Sequence, residues 1–243
     1  SRSGNAHTAG QPVAITSTFS HSLINSKVFR LRINRLLICY FCRYTIEQFR
    51  QISSPGPPSE CEIMIALTTE RLVCTPIVES DWSFFLSLQQ HPQVMRYVAD
   101  NRHEEDIRAA FDTRLRPWSP GAEHWLCLVV RDSLQTPLGV TGYIHRDSDC
   151  AEVGFLFAPE AQGKGYGSES LRAVCDYAFQ HGDIRRLTAT VTAGNIASRR
   201  TLEKMGFVLE GELRESYFLA GEWQNDWLFS LLSHEYNHSQ TSG

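Results

Sequence analysis

The residues with the clearest chemical purpose are Gln162-Gly163-Lys164-Gly165-Tyr166-Gly167. Three glycines in six positions let the main chain turn sharply and approach a ligand closely. An apolar run at 153–158 precedes them, and an amphipathic stretch over 168–179 follows. Strand, glycine turn and helix start in that order present backbone N–H groups at a positive helix end, which suits phosphate. The spacing excludes two owners of such loops. A Walker loop needs Ser or Thr after its Gly-Lys, and Gly165 stands there. A dinucleotide fingerprint needs a third glycine where Ser168 lies, and it opens a fold rather than following four strands. A glycine turn holding no ligand stays open at this level.

Positioning such a loop takes a domain, and the pattern from Met64 onward supplies one. Residues 71–78 alternate as a strand, and Ser80-Asp81 offers an N-cap to a helix carrying Phe84, Phe85 and Leu88. Residues 104–115 form a second helix. Strands at 125–130, 138–144 and 152–158, joined by short polar segments, predict an antiparallel meander. Leu171, Val174, Cys175, Ala178 and Phe179 form a buried helical stripe after the loop. A strand at 187–193, a helix at 196–205 stopped by Gly206, and strands at 207–213 and 226–232 complete an α/β domain with a mixed, largely antiparallel sheet of about seven strands.

Bulk properties set limits. Of 243 residues, 42% are hydrophobic and 21% charged, enough to build a globular core. Residues 1–63 carry seven Lys/Arg and three acids, while the remainder carries sixteen and twenty-four, a net −8. A nucleic-acid partner is therefore not expected, and an acidic body attracts cationic ligands. No apolar run approaches the ~20 residues that span a bilayer, so no membrane partner is expected either. Seven scattered cysteines suit a reducing, cytoplasmic setting, with Cys127 and Cys175 read as buried free thiols. Cys39 and Cys42 have a C-x-x-C form without a second ligand pair, and no metal is expected. Residues 1–63 read as a non-domain extension, either transit-like or upstream translated sequence, ending in a Pro/Ser-rich linker at 53–59. The domain is expected over 64–236, with a tail at 237–243.

A second block, Asn195-Ile196-Ala197-Ser198-Arg199-Arg200-Thr201-Leu202-Glu203-Lys204-Met205-Gly206-Phe207, lies beyond the loop. Together with Gln162, Gly165 and Gly167 in a Q-x-x-G-x-G pattern, Glu210-Gly211, and residues 221–226, it resembles the GCN5-related N-acetyltransferase (GNAT) superfamily. Within it, the chain looks most similar to the branch containing the ribosomal-protein N-terminal acetyltransferases. The opening residues 67–72 share that look, so the resemblance covers about 64–236.

The resemblance implies a GNAT-like sheet with a splayed central strand pair, and acetyl-CoA as co-substrate. The backbone at Leu156 and Phe157 would pair with the pantetheine arm. Gln162, Gly163, Lys164, Gly165, Tyr166, Gly167 and Ser168 would surround the pyrophosphate. Asn195 would bond the cofactor arm or the amine, although its place before a helix equally makes it an N-cap. The tyrosine acid that many members carry seven residues after this asparagine is replaced by Leu202; the branch this chain most resembles is similar in having a serine at Ser198, which that resemblance makes the candidate proton donor, directly or through water. Glu152, sharing a strand face with Gly154 and Leu156, is the candidate base; a solvated edge glutamate is the alternative. His145 and Tyr217 are unranked candidates, and Glu169 reads as a helix-start residue. The expected activity is acetyl transfer to a primary amine in a ternary complex, the amine being a protein N-terminus, a polyamine or another small amine. The alternative is a non-catalytic acyl-CoA-binding regulatory module. A homodimer through late-strand pairing is possible on the same resemblance.

Overall fold

A computed structural model describes residues 65–236. The extension at 1–63, with Cys39 and Cys42, and the tail at 237–243 lie outside them. Eight strands form one sheet: β1 (Leu67–Thr68), β2 (Val73–Pro76), β3 (Leu126–Arg131), β4 (Pro137–Asp147), β5 (Cys150–Phe157), β6 (Arg186–Thr192), β7 (Val208–Leu219) and β8 (Glu222–Leu232). Their spatial order is β1-β2-β3-β4-β5-β6-β8-β7, and every neighbouring pair is antiparallel except β5 and β6. The helices are α1 (Trp82–Gln90), α2 (Pro92–Met95), α3 (Glu104–Arg114), α4 (Tyr166–His181) and α5 (Ile196–Lys204).

Period-two alternation distributes the core between the two faces. Leu126, Leu128 and Val130 of β3 face the α4 side with Leu171, Val174, Cys175 and Ala178. Cys127 and Val129 face the α1 and α3 side with Phe85, Leu88, Ile107 and Phe111. The apolar stripe after the glycine loop therefore buries as its spacing predicts.

The sheet has one more strand than expected, because β1 is only two residues and carries no readable period. β7 and β8 also extend well past the predicted bounds. Much of β7 is exposed, since it is the sheet edge, and bulges between Leu209/Gly211 and Leu213/Tyr217 break its alternation. Ala220 (φ 55°) and Gly221 (φ 82°) close the hairpin, both left-handed as a two-residue turn matched to strand twist requires.

The site depends on the β5–β6 pair. Their parallel pairing covers Cys150↔Arg186, Ala151↔Leu187 and Glu152↔Thr188 only. β5 then continues to Phe157 and β6 to Thr192 along diverging paths. The result is a V whose vertex is Glu152 and whose open end carries two helix starts, that of α4 after β5 and that of α5 after β6.

Candidate active site

On the β5 arm, Ala158 donates its N–H to Leu138 O on β4 at 2.9 Å. Antiparallel alternation from that bond directs the backbone of Leu156 and Gly154 toward β4 and that of Val153, Phe155 and Phe157 into the V. Phe157 thus turns its backbone N–H toward the cleft, while its carbonyl accepts from Gln162 Nε2. The backbone of Leu156 instead faces Val140 on β4, and its side chain packs on the α1 and α3 side of the sheet. The register of a single strand is not fixed by its own sequence, which is why this facing is invisible beforehand.

The glycine loop closes the open end of this arm. Gln162 Nε2 donates to Phe157 O at 2.9 Å, tying the loop to the strand that precedes it. Gly163 (φ 74°) and Gly165 (φ 83°) are both left-handed, and Gly165 is the N-cap of α4. The first-turn N–H groups of any helix lack intrahelical acceptors, so those of α4 remain to be satisfied from outside. A Cβ at Gly167 would stand 3.7 Å from Thr201 and 3.8 Å from the Phe157 ring, so α4 and α5 pass close together there. The Lys164 side chain is exposed, whereas Tyr166 and Ser168 are half-buried in the first turn.

A clamp unforeseen in the sequence holds the loop. Glu169 Oε1 accepts from Thr69 Oγ1 (2.6 Å) and from the Arg71 N–H (3.0 Å), and Oε2 accepts from Arg71 Nε (2.7 Å). Arg71 Nη1 reaches Lys164 O at 3.2 Å, and its guanidinium lies 4.8 Å from the centre of the Tyr166 ring. Burial alone would raise the Glu169 carboxyl, but the hydrogen bonds from Thr69 and Arg71, with the arginine charge, outweigh it and hold the group below its ordinary range. Glu169 is therefore a structural anchor. Nothing local marks Thr69 and Arg71, which lie about a hundred residues away in sequence.

On the β6 arm, Asn195 caps α5, its Oδ1 accepting from the Ser198 N–H at 3.2 Å. Both residues line the cleft with Glu152, Leu156, Tyr97 and Trp125, in a space of about 640 Å³ open to solvent. Leu202, at the position of the missing tyrosine, is fully buried on the same wall. Glu152 sits at the vertex, 6% exposed, with Oε2 accepting from Arg146 Nε (2.8 Å) and Nη2 (2.7 Å). It is a buried ion-paired carboxylate rather than a solvated edge residue.

Two other candidates lie off the cleft. Tyr217 Oη donates to Val98 O at 2.9 Å and braces the β7–β8 hairpin against the 97–100 segment, which Thr192 Oγ1 also ties to β6 through Tyr97 O. His145 stacks on Trp118 at 6.0 Å and meets Tyr143 at 5.6 Å, and burial pushes its imidazole down. Tyr97 and Trp125 enter the cleft from a loop and a strand start whose sequences carry no motif.

A second, apolar pocket adjoins the cleft, and Trp125, Gly154, Phe155 and Leu156 line both. The four cysteines described are all unpaired, and burial raises each thiol, Cys127 to about 11 and Cys74 to about 12. Among the described residues no group of three His, Cys, Asp or Glu could hold a metal, and no helix is long and apolar enough to cross a membrane.

Comparison with known proteins agrees with this geometry. Residues 71–208, more than half the chain, match the family model described as an acetyltransferase (GNAT) domain. An uncharacterised N-acetyltransferase of Bacillus subtilis, YnaD, is 27% identical over 171 residues, covering 70% of this chain and 99% of that protein. The spermidine N(1)-acetyltransferase of Escherichia coli K12 is 25% identical over 163 residues, covering 66% and 86%. A crystal structure of a GNAT-family acetyltransferase from Bacillus anthracis superposes with a TM-score of 0.62 at 25% identity, covering 70% of this chain and all of that one. With a splayed strand pair opening onto a glycine-capped helix, and the family model spanning both arms, this chain belongs to the GNAT family of acetyl-CoA-dependent N-acetyltransferases.

Proposed function

We propose that the protein transfers acetyl from acetyl-CoA to a primary amine by direct attack, both substrates meeting in the V between β5 and β6. The observation that carries this reading is the V itself, an unpaired strand edge that leads to uncommitted helix-start N–H groups. The pyrophosphate is held by the amides of residues 163–168 and the α4 dipole, with Lys164 adding charge. The pantetheine arm runs along the cleft-facing backbone of β5 as an added strand.

A cleft-facing N–H of that edge polarises the thioester carbonyl and stabilises the oxyanion. The amine lone pair forms the new C–N bond, the C–S bond breaks, and its electrons leave on the CoA sulfur. Ser198, directly or through water, gives a proton to that thiolate, and the serine proton is replaced from solvent. Glu152 receives the ammonium proton through water, with Arg146 fixing its carboxylate at the vertex. Asn195 spends its oxygen on Ser198 and has its amide nitrogen left to bond the donor arm or the amine. The raised thiols support direct transfer, because a neutral thiol is a poor nucleophile for an acetyl-cysteine route. They also fit the cytoplasmic setting proposed here.

A second reading, an acyl-CoA-binding regulatory module, is favoured by Leu202, which fills the acid's position with a buried apolar side chain. Thiol release from acetyl-CoA over a broad amine panel separates the two. We expect turnover with at least one primary amine; tight CoA binding with none consumed would establish the module instead.

A further inference from the structure

Resting on the transferase reading, we infer that the acceptor is a monoamine carried on an apolar, aromatic body, seated in the pocket between α1, α3 and the β3–β5 meander. This pocket opens beside the proposed thioester position, because Trp125, Gly154, Phe155 and Leu156 line both spaces.

Its chemistry selects the class. Phe85, Trp125, Val140 and Leu156 provide aromatic and aliphatic walls. Trp125 is half-buried across Gly154, where an added Cβ would stand 3.0 Å from the indole ring; the missing side chain lets the ring lie flat on the strand. No acidic residue lines the pocket among the described residues, and the one charge on its wall is the Arg114 guanidinium. Of the buried carboxylates, Glu152 on β5 and Asp81 in the turn before α1 are each tied to an arginine, Arg146 and Arg131, and Asp226 on β8 does not line the pocket.

A polyamine carries at least one further ammonium along its chain. Here that second charge would be desolvated beside a guanidinium with no carboxylate to meet it. An aromatic monoamine avoids this cost, since its only charge is the group that loses a proton at the thioester. Gln89 supports a polar feature on the same body. Its side chain lines the pocket, 4% exposed, and Oε1 has no hydrogen-bond partner; the Trp125 Nε1 donor is likewise buried without one. The net charge of −8 over 64–243 argues for cationic acceptors at long range, but the pocket wall decides locally.

The test compares tryptamine and phenethylamine with spermidine and putrescine, using the full chain, acetyl-CoA and thiol release. We expect kcat/KM at least tenfold higher for the aromatic monoamines. Gln89→Glu, a near-isosteric change that puts a carboxylate on the wall, should shift the tryptamine-to-spermidine ratio at least tenfold toward spermidine. Calorimetry of each amine against the CoA-loaded wild-type chain gives a readout independent of turnover. Polyamines used as well as or better than the aromatic amines would overturn the inference while leaving the transferase reading intact. Tryptamine binding without turnover of any amine would uphold the pocket's class and overturn the transferase reading. No binding of tryptamine or phenethylamine to the CoA-loaded chain would overturn the inference.

Discussion

The two sides of the cleft are built by different means. The side proposed for the donor is made of backbone: the unpaired edge of β5, two left-handed glycines and the first turn of α4. The side proposed for the acceptor is made of side chains brought from α1, α3, the 97–98 segment and the start of β3. A backbone site needs only the right main-chain path, so it accepts a common cofactor in many sequence contexts. A side-chain site can be rebuilt residue by residue without disturbing that path.

Substitutions can break this division. The largest effect is expected from Gly165→Glu. A non-glycine residue at φ 83° costs ~1–2 kcal/mol, and a carboxylate there repels the pyrophosphate. CoA affinity measured by calorimetry should fall at least a hundredfold while the thermal melt shows a folded chain; retained affinity would remove the loop from the donor site. Ser198→Ala should be intermediate. We expect kcat to fall about tenfold, less than the roughly hundredfold or more usual for general acid catalysis because water can stand in for the hydroxyl, with CoA affinity unchanged; an unaltered kcat would exclude the hydroxyl from proton transfer. The smallest effect concerns the Glu169 clamp. Its carboxyl pKa is lowered in the folded chain, so its stabilisation is complete above the ordinary value of 4.5 and is lost as pH falls through the lower folded value. The wild-type melting temperature should therefore drop in acid more steeply than that of Glu169→Gln, with the two curves converging at the acid end. Parallel curves down to pH 3 would show that the clamp contributes nothing.

The same contrast explains what was legible in sequence. The loop from Gln162 to Gly167 could be read because its glycines, the apolar run before it and the helical stripe after it are contiguous. Asn195 and Ser198 were legible as part of a block, and the structure joins them through a capping hydrogen bond. The acceptor wall could not be read: Gln89, Arg114, Trp125 and Val140 are far apart in sequence, and only the register of the β3–β5 meander and the packing of α1 and α3 bring them together. Arg71 was hidden for the same reason, since its partner Glu169 follows 98 residues later. Which backbone groups of Leu156 and Phe157 face the cleft could not be read either, because facing within a ladder depends on the neighbouring strand.

The three-residue pairing at the vertex also bears on motion. Beyond Glu152 and Thr188 the sheet is two half-sheets, β1 to β5 on one side and β6, β8 and β7 on the other, with no ladder between them. On the proposed reading, the donor arm is the strand that stitches them together. Each catalytic cycle would then insert a strand into the middle of the sheet and withdraw it again. Loss of CoA would loosen the seam along 153–157 without unfolding either half, so the opening that releases product is a partial melting of the sheet itself.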